Sequence, residues 1–443
     1  MSVAWTSMTA ADLGREVEAG RISAAELAEA FLDAIDRAPD AARIYARLTP
    51  TRARAEAAAA HDRARAGLRR GPLDGVPVAW KDNVDSAGIA TEAGSALLKG
   101  RVPAADAPVL AEATRAGTVC LGKTHLSELA FSGLGLNPVT ATPPCVNDPR
   151  AVPGGSSSGS AAAVALGLAA VAVGTDTGGS CRVPAAWNDL VGFKPTWSAL
   201  PLAGVVPLAA RFDTVGALGH TVEDCALLVA AMGGRRAPDL AGATLAGARL
   251  AVLDTAAFDD IRDRPARGFE DAAARLARAG ARIARRPVPA AAEALTLSGT
   301  LFTGEAWATW AEAIEARPGA MFPRIRERFE SGAGVTARDY LTAWTRLEAL
   351  RQAWQAATAG FDAVILPTAP ILPPDARRLM EDSAYYVTEN LLALRNTRIA
   401  NLMGLCAITL PTAEPSCGLT LMAPPGQDAR LLRLAAAAEA ALA

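Results

Sequence analysis

Apolar positions along this chain recur in two ways, as stripes three or four residues apart and as short unbroken runs, and the two alternate from end to end. Leu27, Phe31, Leu32 and Ile35 make one such stripe, the buried face of a helix. Thr9-Ala-Ala-Asp12 and Ser23-Ala-Ala-Glu26 are helix-start patterns with Gly20 as a stop between them, so residues 8–38 are predicted as two helices. Further helices are predicted over 52–66, 107–116, 158–165, 182–187, 222–232 and 266–279, with nearly all of 303–358 helical and a last helix over 428–443. Short apolar runs predict strands at 76–80, 118–121, 168–173, 249–253, 281–288, 363–366, 407–410 and 419–422. Residues 213–216 read as a turn, and 233–247 as a surface link. Strands alternating with helices throughout predict an α/β fold on one large mixed sheet.

Composition narrows the function classes. The chain of 443 residues is 51% hydrophobic, enough for a large core, and carries 44 basic against 46 acidic residues. That balance leaves no electrostatic footprint for nucleic acid or an anionic membrane. Residues 1–10 show no basic segment followed by an apolar one, and the longest apolar runs, such as 161–173, contain glycine and fall short of a membrane span. Six scattered cysteines without a CxxC pair read as buried or free thiols, not as a disulfide frame or zinc site. A soluble, cytoplasmic protein without metal or cofactor is expected. Among the basic residues only Lys81, Lys99, Lys123 and Lys194 are lysines. Unlike arginine, a lysine can give up its proton, and all of them fall between 81 and 194.

The candidate chemistry lies in 154–182, where Gly-Gly-Ser elements flank a small-residue helix and a buried strand, presenting a serine at each turn. Two ordinary glycine turns around a core helix and strand would read the same way. A phosphate-loop match, Gly117 to Thr124, fails on context, because its middle residues look like the strand itself. A nucleophile elbow, Gly155-Ser156-Ser157-Ser158-Gly159, needs a downstream histidine, and only His220 follows. Since Thr221-Val-Glu-Asp224 looks like a helix start, His220 reads as a loop or packing residue, and a Ser-His-Asp hydrolase is the lesser alternative. A third arrangement needs no histidine: a buried lysine, its pKa lowered from roughly 10.4, can serve as base for a serine.

Lys81-Asp-Asn83, Pro153-Gly-Gly-Ser-Ser-Ser-Gly-Ser-Ala-Ala-Ala-Val164 and Gly174-Thr-Asp-Thr-Gly-Gly-Ser-Cys-Arg182 resemble the amidase signature family. The likeness is most specific over about 70–232. It extends to the N-terminal helix pair, Ile365-Leu-Pro-Thr-Ala-Pro370 and Asn401-Leu-Met-Gly-Leu-Cys-Ala-Ile408. It implies a single domain over 1–443, a large mixed sheet covered on both faces by helices. It implies an amidohydrolase in which Ser180 is the nucleophile, Ser156 the bridging serine after a cis Gly155–Ser156 bond, and Lys81 the base. The N–H groups of Thr177, Gly178, Gly179 and Ser180 would form the oxyanion hole, while Ser157 supports the relay by hydrogen bonding, Asp176 and Arg182 are structural partners of the loop, and Cys181 is a small core residue. The partner would be a small-molecule amide, with a homo-oligomer such as a dimer compatible. An alternative is the amidase component of a tRNA-dependent amidotransferase, acting with partner chains. Specificity is expected from about 300–400, including Trp307, Trp310, Tyr385, Arg395 and Arg398. An arginine there could clamp a substrate carboxylate, though a solvated helix face explains either one more simply.

Overall fold

In the computed structural model, which describes residues 5–443, the strands are β1 (Tyr45–Leu48), β2 (Pro77–Lys81), β3 (Val119–Thr124), β4 (Val171–Asp176), β5 (Val191–Lys194), β6 (Thr214–Gly219), β7 (Arg249–Leu253), β8 (Arg282–Arg286), β9 (Ala363–Pro367), β10 (Cys406–Pro411) and β11 (Gly418–Ala423). The reading of residues 1–10 falls partly on 1–4, outside the described residues. The strands form one mixed sheet in the order β1-β3-β2-β4-β6-β5-β10-β11-β9-β7-β8. β3, β2 and β4 run parallel, as do β9, β7 and β8, and the strands between them are antiparallel.

Helices cover both faces of this sheet. Successive strand side chains point to opposite faces, and on β9 Ala363 and Ile365 join one hydrophobic core while Val364 and Leu366 join another. The first core also takes the stripe of Ala24–Arg37 and the helices Asp263–Arg278 and Asp428–Leu442. The second takes Pro289–Ser298, Ala337–Thr358 and part of Ser383–Leu402. Among the described residues no helix is long and apolar enough to cross a membrane, and all six cysteines are free and buried.

The predicted helices over 158–165, 182–187 and 222–232 form within those bounds. Thr9 and Ser23 cap their helices, each hydroxyl accepting from the N–H three residues on. The predicted strand at 168–173 lies further along, because Thr175 and Asp176 pair with Val215 and Thr214 and so extend β4 to Asp176. The predicted turn at 213–216 is instead the start of the central strand β6. Glycine there reflects crowding: a Cβ on Gly216 would lie 2.3 Å from the Phe193 carbonyl oxygen and 2.9 Å from Cys181 Sγ. The helical stretch at 303–358 is broken into Gly304–Ala316, Pro323–Glu330 and Ala337–Thr358.

Candidate active site

Two parallel strands ending side by side place the first residues of the site. Val78 pairs with Val171 and Trp80 with Val173, so the C-terminal ends of β2 and β4 bring Lys81 beside Thr175. Such strand ends in α/β sheets are where ligands gather. Lys81 is fully buried. Its Nζ donates to Ser156 Oγ at 2.8 Å and to Thr175 Oγ1 at 2.7 Å, and lies 3.4 Å from the Thr175 carbonyl oxygen. Thr175 Oγ1 also accepts from Asn83 Nδ2 at 3.0 Å, which fixes the threonine. Burial pushes the Lys81 ammonium down to about 8, against the opposing pull of Cys181, Asp176 and Asp213.

The Gly155–Ser156 peptide bond is cis. Ser156 opens the segment leading into the helix Ser158–Ala165, which is built of small residues and buried in all but its last residue. Ser157 ties that segment to β4: its Oγ donates to the Thr175 carbonyl at 3.2 Å and accepts from the Thr175 N–H at 3.3 Å. The Ser157 N–H donates to the carbonyl of Ser180 at 3.2 Å. Both serine turns are thus joined to each other and to the lysine. Ser180 lines the cleft, and its Oγ has no hydrogen-bond partner among the described residues. Contacts between catalytic groups are often loose before substrate arrives.

The loop from Asp176 to Arg182 is held by a fully buried ion pair, Arg182 Nη2 to Asp176 Oδ1 at 2.9 Å. The same carboxylate accepts from the N–H groups of Gly179, at 2.9 Å, and Cys181, at 3.1 Å. Asn401 closes the network, donating to Asp176 at 2.9 Å and accepting from Arg182 at 2.7 Å. Against the upward push of burial, Arg182 holds the Asp176 carboxyl down to about 2. The Gly179 N–H is already taken by Asp176, which leaves the N–H groups of Thr177, Gly178 and Ser180 without an acceptor among the described residues. Unpaired donors gathered at a tight loop are what an oxyanion needs. Thr177 is in turn pinned by its hydroxyl, which donates to Asp213 Oδ1 at 2.5 Å.

The cleft over Ser180 is lined by Phe131, Ser132, Leu208, Phe302, Leu394, Arg328 and Arg398. Arg398 lies on Ser383–Leu402, a helix that packs onto the loop: Thr397 Oγ1 donates to the Gly178 carbonyl at 2.8 Å. Arg398 is 8% exposed, so the solvated helix face expected for it is wrong. Arg395 points elsewhere and donates to the carbonyls of Asp259 and Ala257. Trp310 Nε1 donates to the Pro207 carbonyl at 2.9 Å, Trp307 packs on the same core, and Tyr385 lies under Arg378. Those three side chains do not line the cleft.

His220 sits past the far end of β6, about 16 Å along the strand from the Val215 that faces Thr175, at 3.3 Å per residue. It is a loop residue beside the cap of Val222–Met232 and does not meet Ser157. Lys123 is buried against Asp82 at 3.4 Å, and Lys194 is buried with its Nζ on the Pro195 carbonyl. Only Lys99 of the four lysines is exposed. The Cys181 thiol is pushed far up by burial, as suits a core residue. The fold adds Asp213, Thr397 and Arg328, which no sequence motif marks. It also gives roles to Asn83, Thr175 and Asn401, which stand inside the motifs without declaring one.

Comparison with known proteins fits this geometry. The family model described as Amidase matches residues 26–432. The 2-amino-5-chloromuconic acid deaminase of Comamonas testosteroni is 36% identical, over 98% of this chain and 97% of its own. A component of the glutamyl-tRNA(Gln) amidotransferase from Symbiobacterium thermophilum is 31% identical, over 97% and 95%. A crystal structure of an amidase superposes with a TM-score of 0.88 at 29% identity, covering 98% of this chain and all of the other.

Proposed function

The chain belongs to the amidase family, and we propose that it hydrolyses a small carboxamide through an acyl-enzyme on Ser180, with Ser156 and Lys81 as the proton relay. The observation that carries this reading is the 2.8 Å bond from the buried Lys81 Nζ to Ser156 Oγ, on a lysine whose ammonium is pushed down to about 8. A lysine so placed is partly neutral near pH 8 and can accept a proton.

In the forward step Ser180 Oγ attacks the amide carbon as its proton passes to Ser156 Oγ, whose own proton passes to Lys81 Nζ. The carbonyl electrons move onto oxygen, where the N–H groups of Thr177, Gly178 and Ser180 receive the charge. Each such donor is worth roughly 10²–10³ in rate by analogy with other oxyanion holes. As the tetrahedral intermediate collapses, the C–N bond breaks and the nitrogen takes the proton back from Lys81 through Ser156, leaving as ammonia or amine. Water then attacks the ester by the same relay, and carboxylate leaves. Asp176 and Arg182 act at one remove, holding the loop that carries these donors.

Ammonia or amine release from a panel of small amides tests the reading. The purified chain should be active, and Lys81→Ala, Ser156→Ala and Ser180→Ala should each reduce kcat to background. Turnover that survives Ser180→Ala would rule it out. A second reading, the amidase component of a tRNA-dependent amidotransferase, draws on the full-length relative at 31% identity. Co-purification of partner chains, with no amide turnover by the isolated protein, would favour it.

A further inference from the structure

Arginines drawn into the body of this protein commonly meet a carboxylate. Arg182 is matched by Asp176, Arg52 by Asp106 and Arg63 by Asp74. Inside the cleft, Arg328 and Arg398 are not. Among the described residues Arg328 makes no side-chain hydrogen bond; its Nη1 is sealed from solvent without a partner, and its guanidinium lies 4.4 Å over the Phe131 ring. Arg398 has one long contact, Nη1 to Ser298 Oγ at 3.4 Å. Burial pushes both guanidiniums down, Arg328 to about 10 and Arg398 to about 9, and the charge acting on Arg398 is Arg328 itself. Two cations that repel each other in a cleft lined by no carboxylate cost stability unless an anion joins them.

The place of the pair says where the anion would sit. A Cβ at Gly178 would lie 4.0 Å from Arg398 Nε, so this side chain borders the oxyanion loop. We propose that Arg328 and Arg398 clamp a carboxylate of the substrate, making this an enzyme for short amides that carry a carboxylate a few carbons from the scissile carbonyl. The proposal rests on the reading of Ser180 as nucleophile. The paired guanidiniums supply charge-assisted bonds that a neutral amide cannot use. The apolar walls of Phe131, Leu208, Phe302 and Leu394 flank them and strengthen such bonds by lowering the local dielectric.

Calorimetric titration of Ser180→Ala with succinamate and with butyramide tests the clamp without turnover. Succinamate should bind roughly 100-fold more tightly, and adding Arg328→Gln or Arg398→Gln should each weaken it roughly 10-fold, with Arg398→Lys in between. Neither glutamine variant should melt below its parent, since each removes an unpaired buried charge, so lost binding is not lost folding. Equal binding of the two amides, or glutamine variants that bind succinamate as their parent does, would overturn the clamp. Turnover separates the two readings. Wild-type enzyme that hydrolyses butyramide as efficiently as succinamate would overturn the clamp and leave the Ser180 chemistry standing. Tight, arginine-dependent succinamate binding with no ammonia released from either amide would uphold the clamp and overturn the Ser180 reading.

Discussion

Asp176 and Arg182 face each other at 2.9 Å with both side chains wholly shut off from solvent, and the carboxylate that completes this pair also holds the N–H groups of Gly179 and Cys181. One side chain therefore sets the shape of the loop that presents Ser180. Removing one partner of a buried pair leaves the other charged and alone, a loss of about 3–5 kcal/mol. We expect Asp176→Ala to lose that much stability in urea denaturation and to lower kcat in whatever still folds. A stability within about 1 kcal/mol of wild type would mean the pair does not anchor the loop.

The activity should rise with pH. Lys81 must be neutral to act as base, and burial pushes it down to about 8, so kcat/KM should climb with an apparent pKa near 8 and level off above it. Lys81→Arg keeps the charge, cannot release it at any accessible pH, and should be inactive across the profile. A rate flat from pH 6 to 10 would count against Lys81 as the base.

Adjacent glycines in the oxyanion loop should answer differently to the same change. Gly179 has φ +138°, and a Cβ there would lie 2.0 Å from Thr397 Oγ1, whereas the nearest atoms to a Cβ on Gly178 are those of Arg398 at 4.0 Å. Gly179→Ala should cost about 1–3 kcal/mol and most of the activity. Gly178→Ala should fold with a melting temperature close to wild type. Equal melting temperatures for the two variants would mean the loop is softer than its contacts suggest.

Stability should fall in alkali. Burial pushes the thiol of Cys120 up to about 11 and those of Cys406 and Cys417 up to about 12, from an ordinary value of 9.0. Above pH 9 the unfolded thiols ionise while the folded ones keep their protons. Their contribution is therefore complete below pH 9 and is lost as pH rises towards 11–12. Lys81 and Lys194, both pushed down to about 8, act in the opposite sense, their penalty lifting between about 8 and 10.5, and Lys123, Arg328 and Arg398 are pushed down as well. The six thiols, joined by the Tyr45 and Tyr386 hydroxyls that burial also pushes up, outnumber these bases. Urea midpoints at pH 8, 9, 10 and 11 should change little or rise slightly to pH 9 and then drop. A midpoint still rising at pH 11 would contradict the thiol burial.

Much of the fold was legible because the helices and most strands carry clean periods and caps. Some of the elements that escaped did so for physical reasons. β5 is four residues long with a glycine inside, and β6 carries glycines where the sheet is too crowded for side chains, so neither shows a strand's apolar run. The helix Ser383–Leu402 buries Asn390, Asn396, Thr397, Arg398 and Asn401 alongside its apolar residues, which leaves no polar face to betray it. The relay residues were visible as motifs. Arg328 was not, since on sequence it is one more arginine in a charged helix, and only the fold turns it into the cleft.

The central claim is that Ser180 is the nucleophile and depends on Lys81. Labelling with a fluorophosphonate probe, followed by mass-spectrometric mapping of the modified residue, tests it most directly. We expect the adduct on Ser180, lost in Lys81→Ala and retained in His220→Ala. An adduct on Ser157 that needs His220, or one on Ser180 that forms equally well without Lys81, would contradict it.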